Sequence, residues 1–418
     1  MTEQQAPAPA HPEWHVTPEQ IIEFDANWLL FWADPIVASQ LEIWLPYLRR
    51  SRYRFVIASA SDRANPGVAR LLGDFPNVMM AMPYESVTAA LRRSRHFKGV
   101  LYPTTRPANF TLITIWPVAS HVWIGHGESE KGVNGPRTAT LYDSVFMARY
   151  SAVERFPPAI RSWVASGACA IGAPVVDGVL KSPWPAPKPV KTVIYAPTWE
   201  GRRPGMDYSS LPGVVPILRD AMPALRERGI NLILRPHPGT GQRDPSYRAL
   251  VNELFEAGAS RPGPKADDFA AADVMLSDIS GVTAEWLFTE KPVLLPVTDN
   301  TIGRGRDESM VAGEYPWTYR WHVDTEDLLQ MLDGLATSDP LRGQRAASAK
   351  SMYRGHSDID EAVRTFDLAL SCVDRRERRI GVRLAFEIKA RSRIGRGLMR
   401  RIAKREGRRP RRRHAAVR

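Results

Sequence analysis

Only two cysteines, Cys169 and Cys372, occur in 418 residues. Two thiols at that separation build no disulfide framework and match no metal-ligand spacing, so a reducing compartment is expected. The chain also lacks any run near the roughly 18 consecutive apolar residues of a membrane span. Its richest stretch, Trp28 to Leu48, is broken by Asp34, Pro35, Gln40 and Glu42. The opening residues, MTEQQAPAPAHPEW, have neither the basic nor the apolar region of a secretory signal. No repeat recurs at a fixed period. These absences point to a cytoplasmic protein, any membrane contact of which is peripheral.

Acidic residues are scarce in one place. Residues 375–418 carry 17 Arg and 2 Lys against 3 Glu, a net of +16, whereas the whole chain is +12. The first 374 residues are therefore mildly acidic, at −4, and basicity belongs to the C-terminal segment. Apolar content of 44% and charge of 24% are ordinary for a globular protein. At this length a single core gives way to two domains.

The apolar pattern divides accordingly. Residues 1–17 are rich in Pro, Ala and polar residues and read as a disordered lead-in. In 18–180, strands are expected at Phe55–Ser59, Val78–Met82, Gly99–Tyr102, Leu112–Trp116, Val122–Gly125, Ser144–Met147 and Ala168–Ile171, with helices at Val68–Gly73 and Tyr84–Arg93. Continuous apolar runs alternating with helices indicate a parallel sheet buried on both faces. The segment KSPWPAPKPVK, 181–191, has four prolines and suits a linker. Strands resume at Thr192–Tyr195, Asn231–Leu234, Val274–Leu276 and Pro292–Pro296, with helices at Ile217–Arg228, Ser246–Glu256 and Thr283–Thr289. This second domain is expected to span 192–340, followed by helices over 341–374 and the basic segment 375–418. The fold class is α/β, two Rossmann-like domains facing across a cleft.

Four segments carry chemistry. In HVWIGHGESEK (121–131), an apolar run ends at Gly125 and His126 follows, flanked by Gly125 and Gly127. Open α/β sheets place ligand contacts at that end, and a neutral imidazole there can deprotonate a hydroxyl. The plainer alternative is a histidine satisfying a loop backbone. In LILRPHP (232–238), a strand ends at His237 between two prolines, with Arg235 as a cation for phosphate. Its alternative is a rigid turn with an exposed histidine. In ADVMLSDISGVTAE (272–285), a strand leads through Ser280 and Gly281 into a helix whose N-terminus suits a pyrophosphate, with Thr283 beside it and Glu285 placed for a ribose hydroxyl. A helix cap that binds nothing is the alternative. In VIYAPTWEGRR (193–203), a strand runs into a loop whose Arg202 and Arg203 either line the cleft or are solvated.

In order and spacing, HGESEK (126–131), AIGAPVVDGVL (170–180), YAPTWEGR (195–202), RPHP (235–238) and SDISGVTAEWLFTEKPVLLP (277–296) resemble the CDP-glycerol glycerophosphotransferase family, the teichoic-acid primases and polymerases. The resemblance covers roughly 120–300. It implies a GT-B fold and transfer of glycerol phosphate, or a related polyol phosphate, from a CDP-activated donor to a hydroxyl of a lipid-linked cell-wall polymer, releasing CMP. It implies no cofactor beyond the donor as substrate, and no metal. By it, His126 is the base, and His237, Ser280, Gly281 and Thr283 hold the donor pyrophosphate. Glu285 takes the ribose, and Gly127, Lys131, Thr198, Arg202, Arg235 and Asp278 complete the substrate contacts. The chain departs from the family at three points. Glu128 and Glu130 lie inside the first turn and disfavour a further phosphate near His126. Gly281 replaces the second serine of a pair. Glu200-Gly201 precede Arg202 where the family has an arginine directly after the tryptophan. The other readings are a GT-B glycosyltransferase using a sugar nucleotide and an inactive membrane-associated binding module.

In the basic segment, Leu384, Ile388, Ile394, Leu398 and Ile402 recur as one apolar stripe among arginines. That pattern fits a helix on an anionic membrane. Nucleic-acid binding through RRPRRR (408–413), the less favoured partner, and a solvated tail stay open beside it.

Overall fold

The computed structural model describes residues 16–33, 39–59, 75–81, 84–126, 137–179, 181, 188–201, 207–298, 315–374 and Arg383. The expected helix Val68–Gly73 and residues 182–187 of the proline-rich segment lie outside these. Of 375–418 only Arg383 lies inside.

Two all-parallel sheets form the protein. The first has seven strands in the order β3-β2-β1-β4-β5-β6-β7: β1 (Trp28–Trp32), β2 (Phe55–Ser59), β3 (Val78–Met80), β4 (Gly99–Tyr102), β5 (Ser120–Trp123), β6 (Ser144–Met147) and β7 (Ala168–Ala170). The second has five, in the order β12-β11-β10-β8-β9: β8 (Thr192–Ala196), β9 (Asn231–Leu234), β10 (Val274–Ser277), β11 (Val293–Val297) and β12 (Tyr319–His322). In each sheet the chain begins in the interior, builds outward on one side, and then returns to the other. The reversal leaves a crevice between β1 and β4 in the first sheet and between β8 and β10 in the second, at the carboxyl ends where α/β folds place ligands.

Three strand assignments differ from the pattern-based expectation. Leu112–Trp116 is not a strand but the end of a helix, Pro107–Ile115. Its β-branched run reads as extended in isolation. However, Pro107 stands in the first turn, where its missing N–H costs nothing, and Pro117 stops the helix one residue past its cap. Trp28–Trp32, part of a stretch noted only for its apolarity, is strand β1, buried at all five positions and central in its sheet. The edge strand Tyr319–His322 has mostly half-buried residues and carried no apolar run to mark it. The C-terminal region resolves into helices Leu328–Thr337, Arg342–Met352 and Ile359–Asp374.

The last of these helices returns to the first sheet. Phe366 packs against Trp44, Tyr47 and Phe146 with ring centroids 5.7–5.9 Å apart. Asp367 accepts from Ser51 Oγ and from the Arg52 amide (3.0 Å). The Met352 carbonyl accepts the Ala173 amide (2.8 Å), and Tyr353 Oη donates to the Ala284 carbonyl (2.6 Å). One apolar core therefore runs from Trp28 through Trp286 to Val373 and joins both sheets.

Candidate functional site

The first half of the site stands at the carboxyl end of β5. Past Trp123 the chain turns through Gly125, whose φ of +67° only glycine adopts without strain. The Gly125 carbonyl is held by Trp44 Nε1 (2.8 Å). His126 follows, exposed, with Nδ1 2.8 Å from the Pro103 carbonyl at the exit of β4. A carbonyl only accepts, so Nδ1 carries the proton of the neutral ring, and Nε2 has the lone pair. That is the tautomer of a base. Gly127 and Lys131 lie outside the described residues.

His121, at the opposite end of β5, serves structure. It is fully buried, donating from Nε2 to the Trp116 carbonyl (2.9 Å) and accepting at Nδ1 from Tyr102 Oη (2.8 Å).

In the second sheet, the exits of β9, β8 and β10 stand side by side. His237, exposed after β9, stacks on Trp199 of the β8 exit with planes 8° apart and centroids 5.5 Å apart. The Gly239 amide donates to His237 Nδ1 (2.9 Å). An N–H only donates, so the neutral ring carries its proton on Nε2, the reverse of His126. A Cβ on Gly239 would lie 2.8 Å from the Trp199 ring and 3.1 Å from Nδ1, so this contact requires glycine.

Glu200, adjacent to that tryptophan, is fully buried. Its carboxylate accepts the amides of Gly241 (3.1 Å), Arg243 (2.9 Å) and Asp244 (3.2 Å), clamping the loop that carries His237. Sequence reasoning treats Glu200 as an insertion displacing an arginine; in the fold it is the anchor of the donor loop. The glycines at 239 and 241 were the only local sign that a backbone comes close. Burial raises the proton affinity of this carboxyl, but the backbone donors outweigh it and hold its pKa below the ordinary 4.5. The unfolded chain therefore binds this proton more tightly than the folded one. Glu200 thus stabilises fully above the ordinary value, and its contribution fades as pH falls through and below it. Glu200→Gln is expected to cost about 1–3 kcal/mol at neutral pH, since an amide NH₂ then faces backbone N–H groups. It is also expected to flatten the loss of stability below about pH 4.5; urea midpoints at neutral and acid pH check both.

Several residues expected at the substrate are committed to the scaffold. Asp278, fully buried, accepts the amides of Thr198 (2.7 Å) and Ser210 (3.2 Å), tying the β10 exit to the β8 exit. Thr283, also buried, donates to the Asp278 carbonyl (2.6 Å) and lies 3.1 Å from Ser280 Oγ. Arg235 is bound to Asp268 through Nε (3.2 Å) and Nη2 (2.5 Å), so its charge is countered within the fold. Glu285 pairs with Lys265 (2.9 Å). Lys291, two residues before β11, donates from Nζ to the carbonyls of Phe269, Ala270 and Ala272, and burial pulls its pKa down to about 8. His237, stacked on Trp199, and the backbone at Ser280 and Gly281, where the helix Gly281–Leu287 begins, stand at the exits of β9 and β10. Arg202 lies outside the described residues.

The CDP-glycerol:poly(glycerophosphate) glycerophosphotransferase family matches residues 176–337, which hold every one of these second-sheet residues. The match is confined to that segment of the chain. The wall teichoic acid polymerase TagF superimposes with a TM-score of 0.53 at 14% identity, over 85% of this chain and 91% of that one. A putative UDP-N-acetylglucosamine 2-epimerase from Listeria monocytogenes gives 0.53 at 14% identity, over 84% and 98%. A glycosyltransferase from Rickettsia africae gives 0.50 at 13% identity, over 84% and 99%. At such identities the likeness is one of fold, and the fold is GT-B. No curated protein matches the sequence. The motif-based expectation of a glycerophosphotransferase-like transferase agrees with the family match.

Proposed function

We propose that this transferase moves glycerol phosphate, or a related polyol phosphate, from a CDP-activated donor to a hydroxyl on a lipid-linked polymer. The observation that carries the reading is the opposite tautomers of the two histidines. His126 Nε2, bearing the lone pair, accepts the proton of the attacking hydroxyl. The acceptor oxygen forms its bond to the glycerol-bearing phosphorus, and the anhydride P–O bond breaks with its electron pair leaving on CMP. His237 Nε2–H and the backbone amides at Ser280–Gly281 face the negative charge of the pyrophosphate. The transfer is thus assigned a proton acceptor from the first sheet and hydrogen-bond donors from the second.

Among the described residues no helix is long and apolar enough to cross a membrane. In this reading the lipid-linked acceptor is met at the inner face of the plasma membrane, with residues 375–418 supplying attraction to anionic lipid.

CDP-glycerol labelled in the cytidine, incubated with a lipid-linked glycerol phosphate acceptor, is expected to release CMP only when the acceptor is present. Turnover of a UDP-sugar instead would make the chain a glycosyltransferase. Tight nucleotide binding with no turnover of any CDP or UDP donor would make it a binding module.

A further inference from the structure

The segment that leads into β2 is dense in one charge. Residues 43–61 hold Arg49, Arg50, Arg52 and Arg54 and no Asp or Glu. The helix Ile359–Asp374 lies against this segment, and the two enclose an open cavity of about 630 Å³. On the helix, Asp360, Val363, Arg364, Asp367 and Leu368 recur at the spacing of a single face and form one wall. Arg50 and Arg52 form the other.

The charges on these walls are unequally matched. Arg50 is committed to the fold: its Nη1 and Nη2 donate to Asp177 (3.0 Å each), and its Nε lies 3.4 Å from Asp360. Asp367 is buried, and its two oxygens accept from Ser51 Oγ and the Arg52 amide, which counter its charge. Arg52 and Arg364 have no such balance. Arg52 Nη2 donates to Ser371 Oγ (2.5 Å) and Tyr53 Oη (3.2 Å), and its guanidinium lies 5.1 Å from the Tyr53 ring centroid. These uncharged partners fix the guanidinium in place and leave its charge intact. Among the described residues no carboxylate lies within 4 Å of the Arg52 or Arg364 guanidinium.

We propose that this cavity binds a small organic phosphomonoester, its dianionic head held between Arg52 on one wall and Arg364 on the other. Two guanidiniums without acid partners match a dianion, and their planar forks suit the oxygens of a phosphate. The volume falls in the range of small-molecule sites and leaves room beyond the phosphate for an ester group. Val363 and Leu368, the latter 60% exposed, give that group an apolar edge. Such a ligand ties the last helix to the loop before β2. Phe366 of that helix packs on Trp44 (5.7 Å), whose Nε1 holds the Gly125 carbonyl (2.8 Å) next to His126. The site therefore adjoins the candidate base through one tryptophan, and it shares no residue with the crevices.

The inference goes beyond the transfer reading, and its test reads binding alone, so failure of the transfer chemistry leaves it standing. Phenyl phosphate is titrated calorimetrically into the full chain at about pH 8, where a phosphomonoester is a dianion. It is expected to bind with a dissociation constant below about 1 mM, weakening with salt. Benzoate, with the same ring and a single charge, is expected to bind about tenfold more weakly or worse. Arg52→Gln and Arg364→Gln, both at exposed positions, are each expected to weaken phenyl phosphate about tenfold with an unchanged circular dichroism spectrum. Arg219→Gln, at an exposed arginine of the helix Leu211–Glu227 paired with Asp220 and Glu253, is expected to leave binding intact. The proposal is overturned by a wild-type dissociation constant above about 1 mM, by unchanged affinity in either the Arg52 or the Arg364 variant, or by an equal loss in the Arg219 variant. Benzoate binding as tightly as phenyl phosphate would overturn the assignment to phosphate and make the cavity a carboxylate site.

Discussion

His126→Gln is expected to slow CMP release by about a hundred- to ten-thousand-fold, the range that a general base contributes. The glutamine side chain fills similar space and keeps a donor for the Pro103 carbonyl, but it cannot take a proton. The same substitution at His237 is expected to be much milder. There the ring is a donor, because Gly239 fixes Nδ1 as acceptor, and a glutamine NH₂ can replace the Nε2–H. His237→Ala, which removes the donor outright, is expected to cost about a hundred- to a thousand-fold. Steady-state CMP release from the four enzymes compares these. A His126→Gln enzyme as active as His237→Gln would remove the assignment of base and donor.

The largest effect on stability is expected at Arg383. Replacing it with alanine leaves the Asp143 carboxylate buried without its bidentate partner, and such a break costs about 3–5 kcal/mol. The loss is expected in the urea midpoint of the chain, followed by the near-ultraviolet signal of the tryptophans. In Asp143→Asn/Arg383→Met the buried charge is gone from both sides, so the double variant should be more stable than the sum of the single ones. A loss below about 1 kcal/mol for Arg383→Ala would mean the pair behaves as a surface ion pair.

Both expectations rest on partners that are remote in sequence, and this is where motif reading and structure separate. His126 and His237 are visible as histidines ending apolar runs, flanked by Gly or Pro. Their protonation sites are not visible, because Pro103 comes from a different strand and Gly239 matters only once the loop has closed on Trp199. Arg235 and Glu285 sit at motif positions that suggest phosphate and ribose. Their charges are met by Asp268 and Lys265, on a helix between β9 and β10 that no motif announces. Glu200 runs the other way. As an acid in place of an expected base it looks like a loss, yet it anchors three amides. Local pattern also misled at Leu112–Trp116, where β-branched residues suggest a strand and Pro107 starts a helix.

Much was nonetheless determined by the sequence alone. Buried parallel strands must be apolar on both faces, so the alternation of short apolar runs with helices specifies two α/β sheets. Their loops are punctuated by Gly and Pro because strand exits need them, and that placed both histidines at carboxyl ends. Segregation of charge marked 375–418 before any fold was known. Tertiary structure alone decided which motif charges remain for a substrate, which nitrogen of each histidine holds the proton, and that one arginine of the basic segment is buried. Each of these depends on a hydrogen-bond partner supplied by a neighbouring strand or helix, and adjacency in a sheet is not adjacency in the chain.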